Sequence, residues 1–166
     1  REAVNHLYKL GHRKIGYVGT DLKRIFSADR KAGYMLALAE NNVPFEESYY
    51  LEMPQVPKEE NDALLHFLSG DDRPTAVLVS DDILAMVLEK TAFKLHLHIP
   101  EDLSIISFNN SLFSKLSSPQ LTSIDINSRQ LGIEAASQMI NHIENPGLLA
   151  TKIIVPHFMI ERQSCA

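Results

Sequence analysis

Between Pro74 and Ala85 the chain runs Pro-Thr-Ala-Val-Leu-Val-Ser-Asp-Asp-Ile-Leu-Ala. Pro74 blocks helical continuation backwards, and Thr75 to Val79 is a short apolar run rich in β-branched residues, as a strand buried on both faces should be. Ser80, Asp81 and Asp82 follow at once. Their short side-chain oxygens suit the mouth of a helix, where amides of the first turn lack partners. A doubly buried strand that delivers carboxylates to a helix start requires cover on both sides of a sheet.

The rest of the chain repeats that pattern. Ala3, Val4, Leu7 and Leu10 fall at helical spacing before Gly11, a C-terminal cap. Ile15 to Val18 reads as a strand, and the loop from Gly19 to Ser27 carries Asp21, Lys23, Arg24 and Phe26. A helix then begins near Asp29, with an expected apolar stripe of Ala28, Ala32, Met35, Leu36 and Ala39. Tyr49 to Met53 predicts a strand, Pro54 to Pro57 a loop, and 58–68 an amphipathic helix. Ile83 to Leu95 is apolar on nearly every side, which calls for cover beyond the sheet, such as a second subunit. Leu103 to Phe108 and Thr122 to Ile126 are further strands, Ser128 to Ile143 a helix, and Thr151 to Val155 and Phe158 to Ile160 closing strands. Alternation of this kind, with connections long enough for right-handed crossovers, predicts an α/β fold with a doubly wound, mostly parallel sheet.

Composition limits what such a sheet can do. The formal charge of −5 argues against this segment gripping a phosphate backbone. A lone cysteine, Cys165, gives no disulfide framework or zinc cluster, so a reducing, cytoplasmic setting is expected. No apolar run reaches the roughly 20 residues of a membrane helix. The chain opens without Met, already inside a helical pattern, and reads as part of a longer protein.

In open parallel sheets a ligand sits beyond the carboxyl ends of the strands. Those ends deliver residues 19–30, 53–57 and 80–82, Asn109 with Asn110, and Asp125 with Asn127. Carboxylates, amides, one arginine and an aromatic suit a neutral, hydroxyl-rich molecule, because each hydroxyl wants both a donor and an acceptor. Neither G-x-G-x-x-G nor G-x-x-x-x-G-K-[ST] occurs, so no nucleotide cofactor is expected.

Eight motifs in register, Leu10-Gly-His-Arg-Lys-Ile-Gly16, Arg30-Lys-Ala-Gly-Tyr34, Arg73-Pro-Thr-Ala76, Ser80-Asp-Asp-Ile-Leu-Ala85, Ile99-Pro-Glu-Asp-Leu-Ser104, Phe108-Asn-Asn110, Pro119-Gln-Leu-Thr-Ser123 and Ile160-Glu-Arg-Gln-Ser164, together resemble the effector-binding core of LacI/GalR-family transcriptional repressors. Phe108-Asn-Asn110, Leu121-Thr-Ser123 and Asp125-Ile-Asn127 are most similar to the maltose-operon repressors of Gram-positive bacteria. The resemblance implies a periplasmic-binding-protein-like fold, of which this chain is mainly one lobe of a two-lobed clamshell. Residues 1–124 and 156–166 would form the C-terminal lobe, and 125–155 would belong to an N-terminal lobe that otherwise precedes Arg1 with the helix-turn-helix domain. The stripe Leu131, Ala135, Met139 and Ile143 would then pack on that lobe.

Arg30 matches the family arginine that holds the effector, and its fork suits vicinal hydroxyls. Asp81 stands where the family usually has a ligand-contacting Asn, and Asn109 where it usually has Asp. Phe26 falls at a contact position where an aromatic can stack on a sugar face. The implied partners are a sugar effector, operator DNA through the helix-turn-helix domain, a second copy of the chain in a homodimer, and a corepressor protein. Leu84, Met86 and Val87, with Phe93, are the expected dimer contacts. Catalysis, metal and cofactor are not expected.

Blander readings stand beside these. Asp81 and Asp82 can act as helix caps, Arg30 as a surface residue paired to Asp29 or Asp21, Phe26 as a loop anchor, and His12 as a turn residue. His96 and His98 alternate as a metal pair can, yet lack a third ligand. Two rival functions share the pattern: a transport-associated sugar-binding protein, and a receiver-like domain using Asp81-Asp82 to hold Mg²⁺ for phosphoryl transfer.

Overall fold

The computed structural model describes residues 1–20, 25–53 and 62–166, with side chains of the second helix described from Ser27 onward. Phe26 as a side chain, Asp21, Lys23 and Arg24, the loop after Met53 and the start of the helix expected from 58 lie outside the described residues. The elements in order are α1 (Glu2–Lys9), β1 (Ile15–Thr20), α2 (Ile25–Glu40), β2 (Tyr50–Met53), α3 (Asp62–Leu68), β3 (Ala76–Val79), α4 (Asp82–Lys94), β4 (Ser104–Phe108), α5 (Leu112–Leu116), β5 (Thr122–Asp125), α6 (Ser128–Glu144) and β6 (Phe158–Ile160).

They build a six-stranded sheet in the order β2-β1-β3-β4-β5-β6. The first five strands are parallel, and β6 runs antiparallel to β5 with Asp125 opposite Phe158. Strand alternation splits the core into two layers. Ala76 and Leu78 of β3 join Ile15, Tyr17, Ile106 and Ile124 under Val4 and Leu7 of α1 and Tyr34, Ala37 and Leu38 of α2. Val77 and Val79 point the other way, to Leu64 and Phe67 of α3 and Leu84, Ala85 and Leu88 of α4. The sheet is thus covered on both sides, as a parallel sheet requires.

Three expectations are corrected. The buried face of α2 carries Tyr34, Ala37 and Leu38, while Met35 and Leu36 are 41% and 50% exposed and Ala28, Ala32 and Ala39 face outward. This helix has two apolar stripes, and the one with the tyrosine wins because the Tyr34 hydroxyl donates to Ile15 O at 2.8 Å as its ring is buried. Thr151 to Val155 forms no strand; residues 151–154 are exposed and Val155 is half-buried, so the run has no buried face to gain from pairing. Leu84 is 1% exposed and belongs to the α4 side of the core, so it offers no contact to a second copy. Met86 stands 36% exposed and Phe93 81%, whereas Val87 is partly buried against the same core.

The helix α6 has no buried residue, and Leu131, Met139 and Ile143 of its apolar stripe lie open. No described helix is long and apolar enough to cross a membrane.

On α4, the Oε1 of Glu89 is buried without a hydrogen-bond partner among the described residues, and burial pushes its carboxyl up to about 7. The folded state therefore resists ionisation that the unfolded chain undergoes near 4.3. Stability is full below that value, declines as pH rises through the window up to about 7, and is level above it. Replacing Glu89→Gln is expected to stabilise the protein by about 1–2 kcal/mol at pH 8, after allowance for the group's partial exposure, and by nothing at pH 4. Urea unfolding at the two pH values checks this, and an equal gain at both would contradict it.

Candidate functional site

The strand order reverses between β1 and β3, which makes the ends of those two strands, at Thr20 and Ser80, the topological switch point. Arg30, on the first turns of α2, reaches this crevice from the layer above the sheet. Its Nη1 donates to Ser80 O at 2.5 Å, and its guanidinium lies 4.3 Å from the centre of the Phe108 ring. Burial lowers the Arg30 pKa, and the Tyr17 hydroxyl and the Asp81 carboxylate oppose that shift. Starting from so high a value, the group remains a cation. Phe108 meets it because β4 alternates: Ile106 and Phe108 face the α2 layer and Ile105 the other.

Asp81 and Asp82 divide two tasks. Asp81 is the N-cap of α4, extended at φ −158° and ψ 165°, with Oδ1 accepting from Leu84 N at 2.9 Å. Asp82, 1% exposed, turns inward, where Oδ1 accepts from Ser107 Oγ at 2.5 Å and Ser123 Oγ at 2.9 Å and Oδ2 from Ser111 N at 2.6 Å. One side chain thereby ties the ends of β3, β4 and β5 and the start of α5 together. With its oxygens occupied by three donors, Asp82 presents little to an external cation. Among the described residues no three His, Cys, Asp or Glu side chains gather as a metal site would need.

Asn109 and Asn110 form a left-handed turn after Phe108, at φ +98° and +47°. Asparagine tolerates that region better than most side chains. The turn is pinned by Asn109 N to Ile124 O at 2.8 Å and Asn110 N to Ser123 Oγ at 3.0 Å. Asn109 is left half-buried next to the ring that Arg30 covers. Arg30 is thus close enough to Asp81 to feel its charge and packs on Phe108, and Asn109 follows that ring in the chain.

Beside this group lies a cavity of about 480 Å³ between the sheet and the crossing segments, with Arg30 and Asp29 on its wall and Leu78, Phe108, Ile124 and Leu131 supplying its apolar lining. Asp81 and Asn109 do not line it, and its polar wall is completed by Arg1, Glu2 and His157.

Sequence reasoning did not assign Phe108 or Tyr17 to the site. Phe108 was legible as the last residue of its strand, on the α2 side by parity. Tyr17 is 1% exposed, stacks on Tyr50 with ring centres 5.6 Å apart, and has no partner for its hydroxyl among the described residues. Burial raises it to about 12. Its ring explains Gly19, where an added Cβ would lie 2.4 Å from the tyrosine edge.

The remaining candidates have local duties. His12 bridges Thr75 Oγ1 at 2.9 Å and Ser104 Oγ at 3.1 Å. His98 pairs with Asp102 at 3.0 Å. The Cys165 thiol, raised to about 11 by burial, donates to Ile105 O and is a poor nucleophile.

Comparison with known proteins agrees with this architecture. The sequence model of the periplasmic binding protein-like domain matches residues 4–165. The transcriptional repressor PurR of Photorhabdus laumondii is 33% identical over 162 residues, 98% of this chain and 48% of the repressor. The chain spans about half the length of the curated relatives it matches. Among solved structures, a LacI transcriptional regulator from Bacillus cereus subsp. cytotoxis superimposes with a TM-score of 0.92 at 32% identity, covering 99% of this chain and 58% of that one. The regulator CcpA of Lactococcus lactis does so with a TM-score of 0.87 at 27% identity, covering 99% and 60%. With a mostly parallel sheet, a crevice at its switch point and a match over nearly every residue, the chain belongs to the periplasmic binding protein-like family, in the form that domain takes in LacI-family transcriptional regulators.

Proposed function

We propose that this chain is the effector-binding and dimerising part of a sugar-responsive transcriptional repressor, with maltose or a maltodextrin as effector. The observation that carries the reading is Arg30, held at the switch point between Ser80 O and the Phe108 ring. A guanidinium fork over an aromatic face, with the Asp81 carboxylate and the Asn109 amide nearby, matches a ring that is apolar on its faces and hydroxylated at its rim. The effector would act by population shift: preference for one lobe arrangement changes the spacing of two DNA-binding heads and so the affinity for a two-fold operator. Met86, Val87 and Phe93 on α4 would supply the contacts between copies, and the reading includes no catalytic step.

Thermal unfolding of the full-length protein against maltose, maltotriose, other sugars and purines tests it. A ligand at 100 times its dissociation constant adds about 2.7 kcal/mol, a clear shift of the midpoint. A shift with maltose or maltotriose that vanishes in Arg30→Ala supports both sugar and site. A shift with a purine alone, or with no panel member, sinks the sugar assignment.

A further inference from the structure

The chain leaves the sheet after Asp125 and returns at Phe158, and these two residues lie opposite each other on adjacent strands. Everything between, including α6 with no buried residue, is an excursion that departs from one point. That point is wired to the turn at Asn109 and Asn110. Nη2 of Arg162, just past β6, donates to Oδ1 of Asn110, whose Nδ2 donates to Asp125 Oδ2 at 2.9 Å. Asp125 Oδ1 in turn accepts the Asn127 amide at 2.7 Å, and Asn127 is the left-handed residue, at φ +54°, from which α6 starts without a side-chain cap.

Each link is oriented by the one before it. Arg162 is fixed by a second bond, Nη1 to Leu121 O at 2.6 Å. Because Arg162 has only donors, it holds the Asn110 carbonyl toward itself, which leaves the Asn110 NH₂ facing Asp125. The Asn110 backbone is held independently by Ser123 Oγ, itself on Asp82. A change at Asn109 moves the next Cα, and with it the side chain that hydrogen-bonds both Arg162 and Asp125.

We infer that Asn110 is a positioning residue that couples the Asn109 turn to the chain crossover at Asp125 to Asn127, so that occupancy at the turn sets how α6 leaves the lobe. The inference rests on the ligand-binding reading above for its source of occupancy, but the coupling itself can be measured without any ligand. Asn110→Gly removes the side chain and keeps the left-handed turn accessible. In the full-length protein, amide exchange in the peptide 125–131 is expected to speed up about fivefold in Asn110→Gly and at least as much in Asp125→Ala, with the peptide of β3 unchanged. The double variant should exchange no faster than Asp125→Ala alone, because the first change acts through the second residue.

Multiplying effects would mean that Asn110 merely stiffens the turn, and the inference would fall; so would unchanged exchange in Asn110→Gly. Adding 10 mM maltose gives the second arm. Protection of 125–131 should rise in the unsubstituted protein and stay flat in Asn110→Gly while maltose still raises its midpoint. Equal protection in both overturns the coupling. If maltose shifts neither midpoint, the sugar reading fails and the ligand-free cycle decides the coupling by itself.

Discussion

Asp82→Ala is expected to lower stability by about 3–5 kcal/mol, enough to unfold much of a domain whose whole margin is of order 5–15 kcal/mol. The substitution withdraws the acceptor from Ser107 Oγ, Ser123 Oγ and Ser111 N at once. The two hydroxyls can rotate, and Ser107 has Thr122 O at 3.4 Å as a poor alternative. The Ser111 amide cannot turn, and, half-buried, it is left to whatever water reaches it. Asp82→Asn restores one oxygen but points an NH₂ at the amide or at the hydroxyls, so it should recover only part of the loss. The neighbouring Asp81→Ala removes a cap and should cost about 1 kcal/mol. Urea unfolding of the three variants separates the roles, and equal losses for Asp81→Ala and Asp82→Ala would refute this division of labour between adjacent carboxylates.

That division also marks where the sequence could be read and where it could not. The strands were legible because Ile15 to Val18, Thr75 to Val79 and Leu103 to Phe108 are apolar runs too short for helices, bounded by turn residues. The caps were legible as a class, since Asp follows a strand at a helix mouth, but two adjacent aspartates satisfy that rule equally. Which of them turns inward depends on Ser107 and Ser123, more than 20 residues away on other strands, and no local pattern records that pairing. Arg30 was legible through the resemblance of its motif. Its aromatic partner Phe108 required knowing that α2 shares a layer with the face of β4 that carries Ile106 and Phe108.

The α2 stripe shows the opposite failure. Hydrophobicity alone favours Met35 and Leu36 over a tyrosine, and the tyrosine is inside because a backbone carbonyl of β1 waits for its hydroxyl. Thr151 to Val155 has strand composition, and composition without a face to bury makes no strand. The apolar stripe of α6 was legible from its spacing, and it lies exposed among the described residues.

Leu84→Glu is expected to unfold the protein rather than to dissociate a dimer. Leu84 is 1% exposed among Val79, Ala85 and Leu88, so a carboxylate there enters a core with no charge partner, a cost of about 4 kcal/mol or more. Met86 lies two residues further on the same helix, and its exposure places it on the opposite face with Ile83, 55% exposed, and Phe93. A charge at that face meets solvent in a monomer and an apolar partner in a dimer. If α4 carries the contact between copies, Met86→Glu should leave the unfolding midpoint of the monomer near that of the unsubstituted protein and weaken self-association at least tenfold, since burying an unpaired charge costs more than the 1.4 kcal/mol that factor represents. Sedimentation velocity across a concentration series reads the association, and circular dichroism reads the fold. A folded, dimeric Leu84→Glu would overturn the placement of Leu84 in the core, and a Met86→Glu protein that remains fully dimeric would move the contact off α4.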